Sequence, residues 1–414
     1  MRGICCKFNR QNLIRMVCAA LAVIAIGAAP AAAGWRLIAS PTLGEPALVR
    51  PGDAFTVRLD CAKNKRLHSV RMRGFKDPDV VLELSSEVFD CAGDLELPVK
   101  TPHDAPAGLY GLCVDYESPS GDHTACQDHA VSVSLEFKQA FRFAILTDFH
   151  VGDARGEKNN PGIPLQELRA KAMAAVNAAK PDFVLLTGDI TFYPTTYEND
   201  YRQALEELVR GLNVPVFMTP GNHDLYSISA LRVDGESFWA DTFGPVRKSF
   251  TYGPFRFIGF NSYNWPEAYR DRYAEALVKE VGSSSLGIMG AQEFEWIRDR
   301  IQEAHDMGLR PILFAHHDPQ NMSPFAGDDV FSVVQRDAFA QFLQDQGVEY
   351  YFFGHTHKNY TREHGDVLFI STGTASSGFV PGEAWSFRIV DVDAAGDLTM
   401  RPVVVWTPVV NAGK

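Results

Sequence analysis

No cysteine occurs after residue 126, so most of this 414-residue chain lacks the thiol with which to hold zinc or an iron–sulfur cluster. Basic residues are scarce. The 39 Lys and Arg stand against 51 Asp and Glu, and the resulting charge of −12 disfavours a protein that coats a nucleic-acid polymer. Long hydrophobic runs are missing too. The uninterrupted small and apolar stretch at 16–29 is shorter than the ~20 residues a bilayer requires, which argues against a transmembrane anchor. What is present is ordinary: 46% hydrophobic, 22% charged and 11% aromatic residues, which excludes a disordered polymer, a coiled coil and a polytopic membrane protein.

The short apolar stretch follows a basic start (Arg2, Lys7, Arg10, Arg15) and leads into Pro30-Ala31-Ala32-Ala33-Gly34. That order is the pattern of a secretory signal peptide over residues 1–33, cleaved after Ala33, and it predicts export to the periplasm or beyond. Arg15-Met16-Val17 before Cys18 argues against a lipoprotein signal. Processing removes four basic residues and no acidic one, taking the formal charge from −12 to −16. It also removes Cys5, Cys6 and Cys18, leaving Cys61, Cys91, Cys113 and Cys126. An even number in an exported chain reads as two disulfides. Three pairings are open; Cys61–Cys91 with Cys113–Cys126 is preferred, since the second pair flanks the turn Ser118-Pro119-Ser120-Gly121.

Residues 34–139 show short alternating runs separated by Pro, Gly and Asp, which suggests a small N-terminal β-sandwich domain. His123, Cys126 and His129 hint at zinc there, but outside the cytoplasm the thiols are more simply consumed as disulfides. Residues 140–414 change to alternating strand and helix. Strands are expected at 141–146, 182–186, 214–218, 311–315 and 349–353, and helices at 165–179, 201–212, 292–307 and 336–346. Beyond residue 367 the chain reads as hairpins. This is an α/β pattern, and ligands of such sheets bind outside the C-terminal strand ends.

Five successive strand ends carry polar groups: Asp148-Phe149-His150, Gly188-Asp189, Gly221-Asn222-His223-Asp224, His316-His317-Asp318 and Gly354-His355-Thr356-His357. Six of the eight histidines after residue 141 stand at these points. Carboxylate and imidazole together suit a borderline metal. Asp-x-His and His-x-His put two donors on one face of an extended segment. The seven candidate ligands, Asp148, His150, Asp189, Asn222, His316, His355 and His357, are too many for one ion. They suit two ions ~3.5–4 Å apart with a bridging carboxylate. Each motif alone is commonplace; their order along the chain is not. His223 beside Asp224 reads as a proton donor with an orienting partner.

This ordered set resembles the calcineurin-like metallophosphoesterases, over about residues 141–400. The resemblance implies a four-layer α/β/β/α sandwich preceded by the β domain, and a dinuclear centre of divalent or trivalent ions (Fe, Mn or Zn). It implies Asp148, His150, Asp189 and His357 on one ion, with Asp189 bridging, and Asn222, His316 and His355 on the other. His316 is preferred to His317 because the family's metal histidine follows the strand directly. His223 resembles the non-ligand acid, with Asp224 orienting it. The activity implied is hydrolysis of phosphomonoesters or phosphodiesters by a metal-bound hydroxide. Phe192 stands where purple acid phosphatases carry a tyrosine, and their first motif lacks the histidine found here at 150, so that subfamily is disfavoured. A phosphodiesterase restricted to nucleotides or phospholipids, an envelope-binding adaptor and a non-catalytic metal-binding protein are the alternatives. The loops 152–164 and 263–290, the second bearing Tyr263, Trp265, Tyr269 and Tyr273, are the candidate specificity walls.

Overall fold

The structure, a computed structural model, describes residues 37–74, 79–84, 89–154, 163–271, 285–322, 334, 336–376 and 383–407. The signal-like segment and Tyr273 lie outside these residues. None of the described helices is long and apolar enough to cross a membrane.

The N-terminal region is all β: β1 (Ile38–Ser40), β2 (Ala47–Val49), β3 (Ala54–Arg73), β4 (Val80–Val81), β5 (Glu83–Leu84), β6 (Phe89–Lys100), β7 (Gly108–Ser118) and β8 (Gly121–Val133). The sequence suggests a small β-sandwich, and these strands are hydrogen-bonded continuously into one eight-stranded sheet. The cause is β3. It spans 20 residues, pairing β6 from Ala54 to Leu67 and β7 from Arg66 to Arg73. Val57, Leu59, Cys61 and Leu67 are buried in its first half; after the register shift at Leu67/Ser69 the buried set becomes Val70 and Met72. An irregular residue flips the alternation, so both halves feed one core. The disulfides Cys61–Cys91 and Cys113–Cys126 form as the preferred pairing.

Two further sheets follow. The first has the order β11-β10-β9-β20-β21, built from β9 (Phe141–Leu146), β10 (Phe183–Thr187), β11 (Val216–Thr219), β20 (Trp385–Val392) and β21 (Leu398–Trp406). The second has the order β14-β15-β16-β17-β19-β18, from β14 (Lys248–Tyr252), β15 (Phe255–Gly259), β16 (Arg310–Phe314), β17 (Tyr350–Phe353), β18 (Tyr360–His364) and β19 (Val367–Ser371). A small ribbon pairs β12 (Ser227–Ile228) with β13 (Val233–Asp234).

Alternation along the central strands explains the layering. Phe143, Ile145, Phe183, Leu185 and Phe217 meet Phe257, Ile312, Phe314 and Phe352 between the sheets. On the outer face of the first sheet, Ala144, Leu146, Val184 and Leu186 pack with helices α1 (Leu165–Ala179) and α2 (Tyr197–Gly211). On that of the second, Leu313, Tyr351 and Phe353 pack with α5 (Ala291–Asp306) and α6 (Arg336–Asp345). Between them in the chain lie the single turn α3 (Asn222–Leu225) and α4 (Gly235–Phe243). Helix, sheet, sheet, helix is the order found. Because β9, β10 and β11 are parallel, as are β15, β16, β17 and β19, the C-terminal ends within each set share an edge.

A strap from the β-rich region runs into these layers. Leu43, 1% exposed, joins the core beneath α2 and α4. Gly44 accepts from Met218 N (3.0 Å) and the buried Lys248 Nζ (3.1 Å), and a side chain at Gly44 would collide with Phe243 O. Leu43→Ala is therefore expected to cost about 2–5 kcal/mol. Denaturant unfolding followed by circular dichroism and tryptophan fluorescence should remain one transition. Two separated transitions, with the layered part unshifted, would show that the strap does not couple the regions.

Candidate metal centre

Eight of the strand-end donors singled out in the sequence arrive at one place, where the parallel edges of the two sheets meet. Among the described residues, four overlapping groups hold their donor atoms within 4.8 Å of one another: Asp148, His150 and His357; Asp148, Asp189 and His316; His150, Asp189 and His223; and His316, His317 and His355.

Left-handed backbone brings them there. Asp148 (φ 56°), His150 (44°), Asp189 (53°), His355 (65°) and His357 (58°) all adopt it, a conformation non-glycine residues rarely take. Each turn folds the chain sharply off its strand. The turns also press backbones together: at Gly221 a Cβ would stand 2.2 Å from Asp189 Oδ1, and at Gly354 one would stand 2.0 Å from Thr147 Oγ1.

The donors are oriented by their far sides. Asp189 Oδ1 accepts from His223 N (2.9 Å), which aims Oδ2 at His150 Nε2 and His316 Nε2, each 3.1 Å away. Asp148 Oδ2 accepts from Thr147 Oγ1 (2.6 Å) and His355 N (3.1 Å), while Oδ1 faces His357 Nε2 at 3.0 Å. His316 Nδ1 donates to Thr187 O (2.7 Å), which leaves Nε2 as the ring atom that faces Asp189 and the cluster. Asn222 donates its amide N–H to Tyr226 Oη (2.8 Å), which turns its oxygen the other way. His317 resembles His316 in this respect: Nδ1 meets Ser262 Oγ at 2.9 Å, Nε2 has no hydrogen bond, and its ring lies 4.4 Å from that of His355. Both histidines of the pair thus face the cluster.

Electrostatics mark the spot as a cation hole. Burial alone would lower His150, yet hydrogen bonds to Asp148 and Asp189 raise it to about 10. Burial is likewise outweighed at His316 by Asp189, which raises it to about 9. Both carboxylates are held well below their ordinary range, because their histidines overcome the desolvation that would raise them. Burial pushes His223 down to about 4 and His355 to about 3. Buried carboxylates ringed by imidazoles with unbonded nitrogens fit divalent ions taking oxygen and nitrogen ligands.

One expected role fails. Asp224 does not touch His223. Its Oδ1 accepts from Ile190 N (2.9 Å), Thr191 N (2.8 Å) and Thr191 Oγ1 (3.0 Å), and its Oδ2 from Gly221 N (2.9 Å). It is a brace between two ligand loops. His223 is oriented instead by the Phe192 carbonyl, which accepts from Nδ1 at 2.8 Å, and by stacking on the Phe192 ring at 4.8 Å. Asp318 is a loop carboxylate, paired with Arg362 (2.7 Å) and accepting from Asn321 N (3.0 Å). The loop aromatics Tyr263 and Trp265 are 0% and 4% exposed and belong to the core.

A further group was not legible beforehand. Thr374 Oγ1 donates to Asp148 O (2.9 Å), Ser376 Oγ to Phe149 O (2.7 Å), and Ser371 Oγ meets Thr356 Oγ1 at 2.7 Å. Small hydroxyl residues at the end of β19 and just after it thus tie down the first and last ligand turns.

With this geometry in hand, comparison with known proteins gives a family. The model described as calcineurin-like phosphoesterase matches residues 141–359. A 3',5'-cyclic-nucleotide phosphodiesterase of Nostoc sp. is 24% identical over 279 residues, covering 64% of this chain and 92% of that protein. A probable glycerophosphodiester phosphodiesterase of Arcobacter nitrofigilis is 27% identical over 141 residues, 34% of this chain and 43% of its own length. Among solved structures, a purple acid phosphatase from yellow lupin (Lupinus luteus) seeds has a TM-score of 0.48 at 12% identity, over 87% of this chain and 76% of that one.

Cation binding must displace the protons on His150 and His316. Both are protonated at neutral pH in the metal-free centre, so affinity should rise with pH until it passes about 9 to 10. Calorimetric titration at pH 7 in buffers of different ionisation heat should register up to two protons released. A titration heat independent of buffer would refute this account.

Proposed function

The chain belongs to the calcineurin-like phosphoesterase family and is a metal-dependent hydrolase of phosphate esters; from that premise we propose that it is an exported, dinuclear phosphodiesterase. Two divalent or trivalent ions, of iron, manganese or zinc, suit a donor set of oxygen and nitrogen without sulfur. Asp148, His150, Asp189 and His357 would hold one, and Asn222, His316 and His355, sharing Asp189, the other. Bound there, the ions would supply Lewis-acid charge at the phosphoryl oxygens and acidify water. The names of the two sequence relatives favour diesters over monoesters. Export is supported by the signal-like first 33 residues and by the pairing of all four remaining cysteines.

The observation that carries the reading is His223. Its Nδ1–H is committed to the Phe192 carbonyl, which leaves Nε2 as the atom facing Asp189 and His150. Burial makes the resting imidazole neutral, at about 4. A phosphate ester brings negative charge against Nε2, which raises its affinity for a proton. The acid form is thus recruited by the substrate, and Nε2–H then protonates the departing alkoxide. Phe192, half-buried and stacked on the ring, keeps the imidazole in this tautomer and screens it from water.

His223→Ala should leave cation stoichiometry intact and slow an alkyl diester about 10²–10⁴-fold, while bis(p-nitrophenyl) phosphate, whose leaving group needs no proton, loses far less. Equal losses for both esters would dismiss the acid role. In the wild type, faster turnover of p-nitrophenyl phosphate than of its bis-diester would overturn the diesterase reading.

A further inference from the structure

Arg388 stands on β20 between the two sheets, 4% exposed, and no carboxylate pairs with it among the described residues. Burying a guanidinium without a counter-charge is costly, so its hydrogen bonds must matter to the fold around it. Nη2 donates to Ser371 O at 2.7 Å and reaches Asn359 Oδ1 at 3.4 Å. Asn359 in turn accepts from Gly373 N (3.1 Å) and donates to Ser386 Oγ (2.7 Å). The approach is close enough that a Cβ at Gly373 would meet Asn359 Nδ2 at 2.6 Å. From Ser371 the path continues through its hydroxyl to Thr356 Oγ1, 2.7 Å away.

Thr356 is the residue between His355 and His357, both in left-handed backbone. Such a conformation costs on the order of 1–3 kcal/mol per residue and persists only where its surroundings over-determine it. His355 N is already tied to Asp148, and His357 Nε2 faces the same carboxylate. Backbone bonds from Gly354 N to His316 O (3.1 Å) and from Thr356 N to Gly354 O (2.7 Å) hold the turn too. The Thr356 hydroxyl is a further anchor, and the strand end that receives it is bonded by Arg388.

We propose that Arg388, acting through Asn359, Ser371 and Thr356, is a positioning residue that holds His355 and His357 in the geometry in which they bind cations. It touches neither substrate nor ion. The proposal rests on the reading of this cluster as the metal centre, and the experiment separates the two. Metal-free wild type, Arg388→Met, Arg388→Lys, Thr356→Val and the Met/Val double variant are titrated calorimetrically with Mn²⁺, and their metal-free unfolding midpoints recorded. Thr356→Val keeps the side-chain shape and cuts the path without disturbing the buried arginine.

Arg388→Met and Thr356→Val are each expected to lose about 10–100-fold in cation affinity, the range found when partners behind metal ligands are removed. Arg388→Lys should restore part of the loss, and the double variant should lose no more than the worse single one, since both lie on one path. Unchanged affinity in Thr356→Val, or additive losses in the double variant, would overturn the proposal, even if Arg388→Met fails to fold. A fall in the metal-free midpoint of Arg388→Met with affinity unaltered would make the arginine merely structural. Absence of Mn²⁺ binding by the wild type would instead overturn the metal-centre reading.

Discussion

The centre depends on a backbone conformation before it depends on any side chain. Among the described residues eight non-glycine positions have positive φ, and five of them are candidate ligands. A strand that simply ran on would carry its second donor about 6–7 Å further from the edge than its first, at about 3.3 Å per residue. Turning left-handed at the strand end brings Asp148 and His150, or His355 and His357, back over the same point. At roughly 1–3 kcal/mol each, five such turns add up to a sum comparable with the whole stability of a domain. They must be offset by everything around them: the four hydrogen bonds into Asp224, the hydroxyls of Thr374 and Ser376, and the bare glycines where backbones nearly touch.

This explains what could be read in advance. Donor residues at strand ends are legible because their chemistry is rare there, and the helix at 165–179 because its apolar residues recur with the helical period. Strands buried on both faces are legible as continuous apolar runs. The cysteine pairing followed from a turn between the partners.

The failures are as instructive. Adjacency in the chain suggests that Asp224 orients His223, yet successive residues on a helical turn point about 100° apart. Asp224 therefore turns inward to the loops while His223 faces the cluster. The hydroxyl residues 371–376 and the strap at 42–45 carry no signal at all, since serine, threonine and glycine are what any loop contains. Tyr263 and Trp265 look like a substrate wall, but their rings fill the core under the loop. Sequence marks what binds; it says little about what holds the binding groups still.

The first ligand strand, β9, has as its antiparallel neighbour β20, with Ile145 opposite Arg388. These strands are separated by more than half of the chain, and the His355–His357 turn is itself a late arrival. A chain emerging from its N-terminus therefore carries Asp148 and His150 long before the partners that shape them exist. The centre is a product of completion. The ligand set that would hold ions is complete only once the last strands are in place.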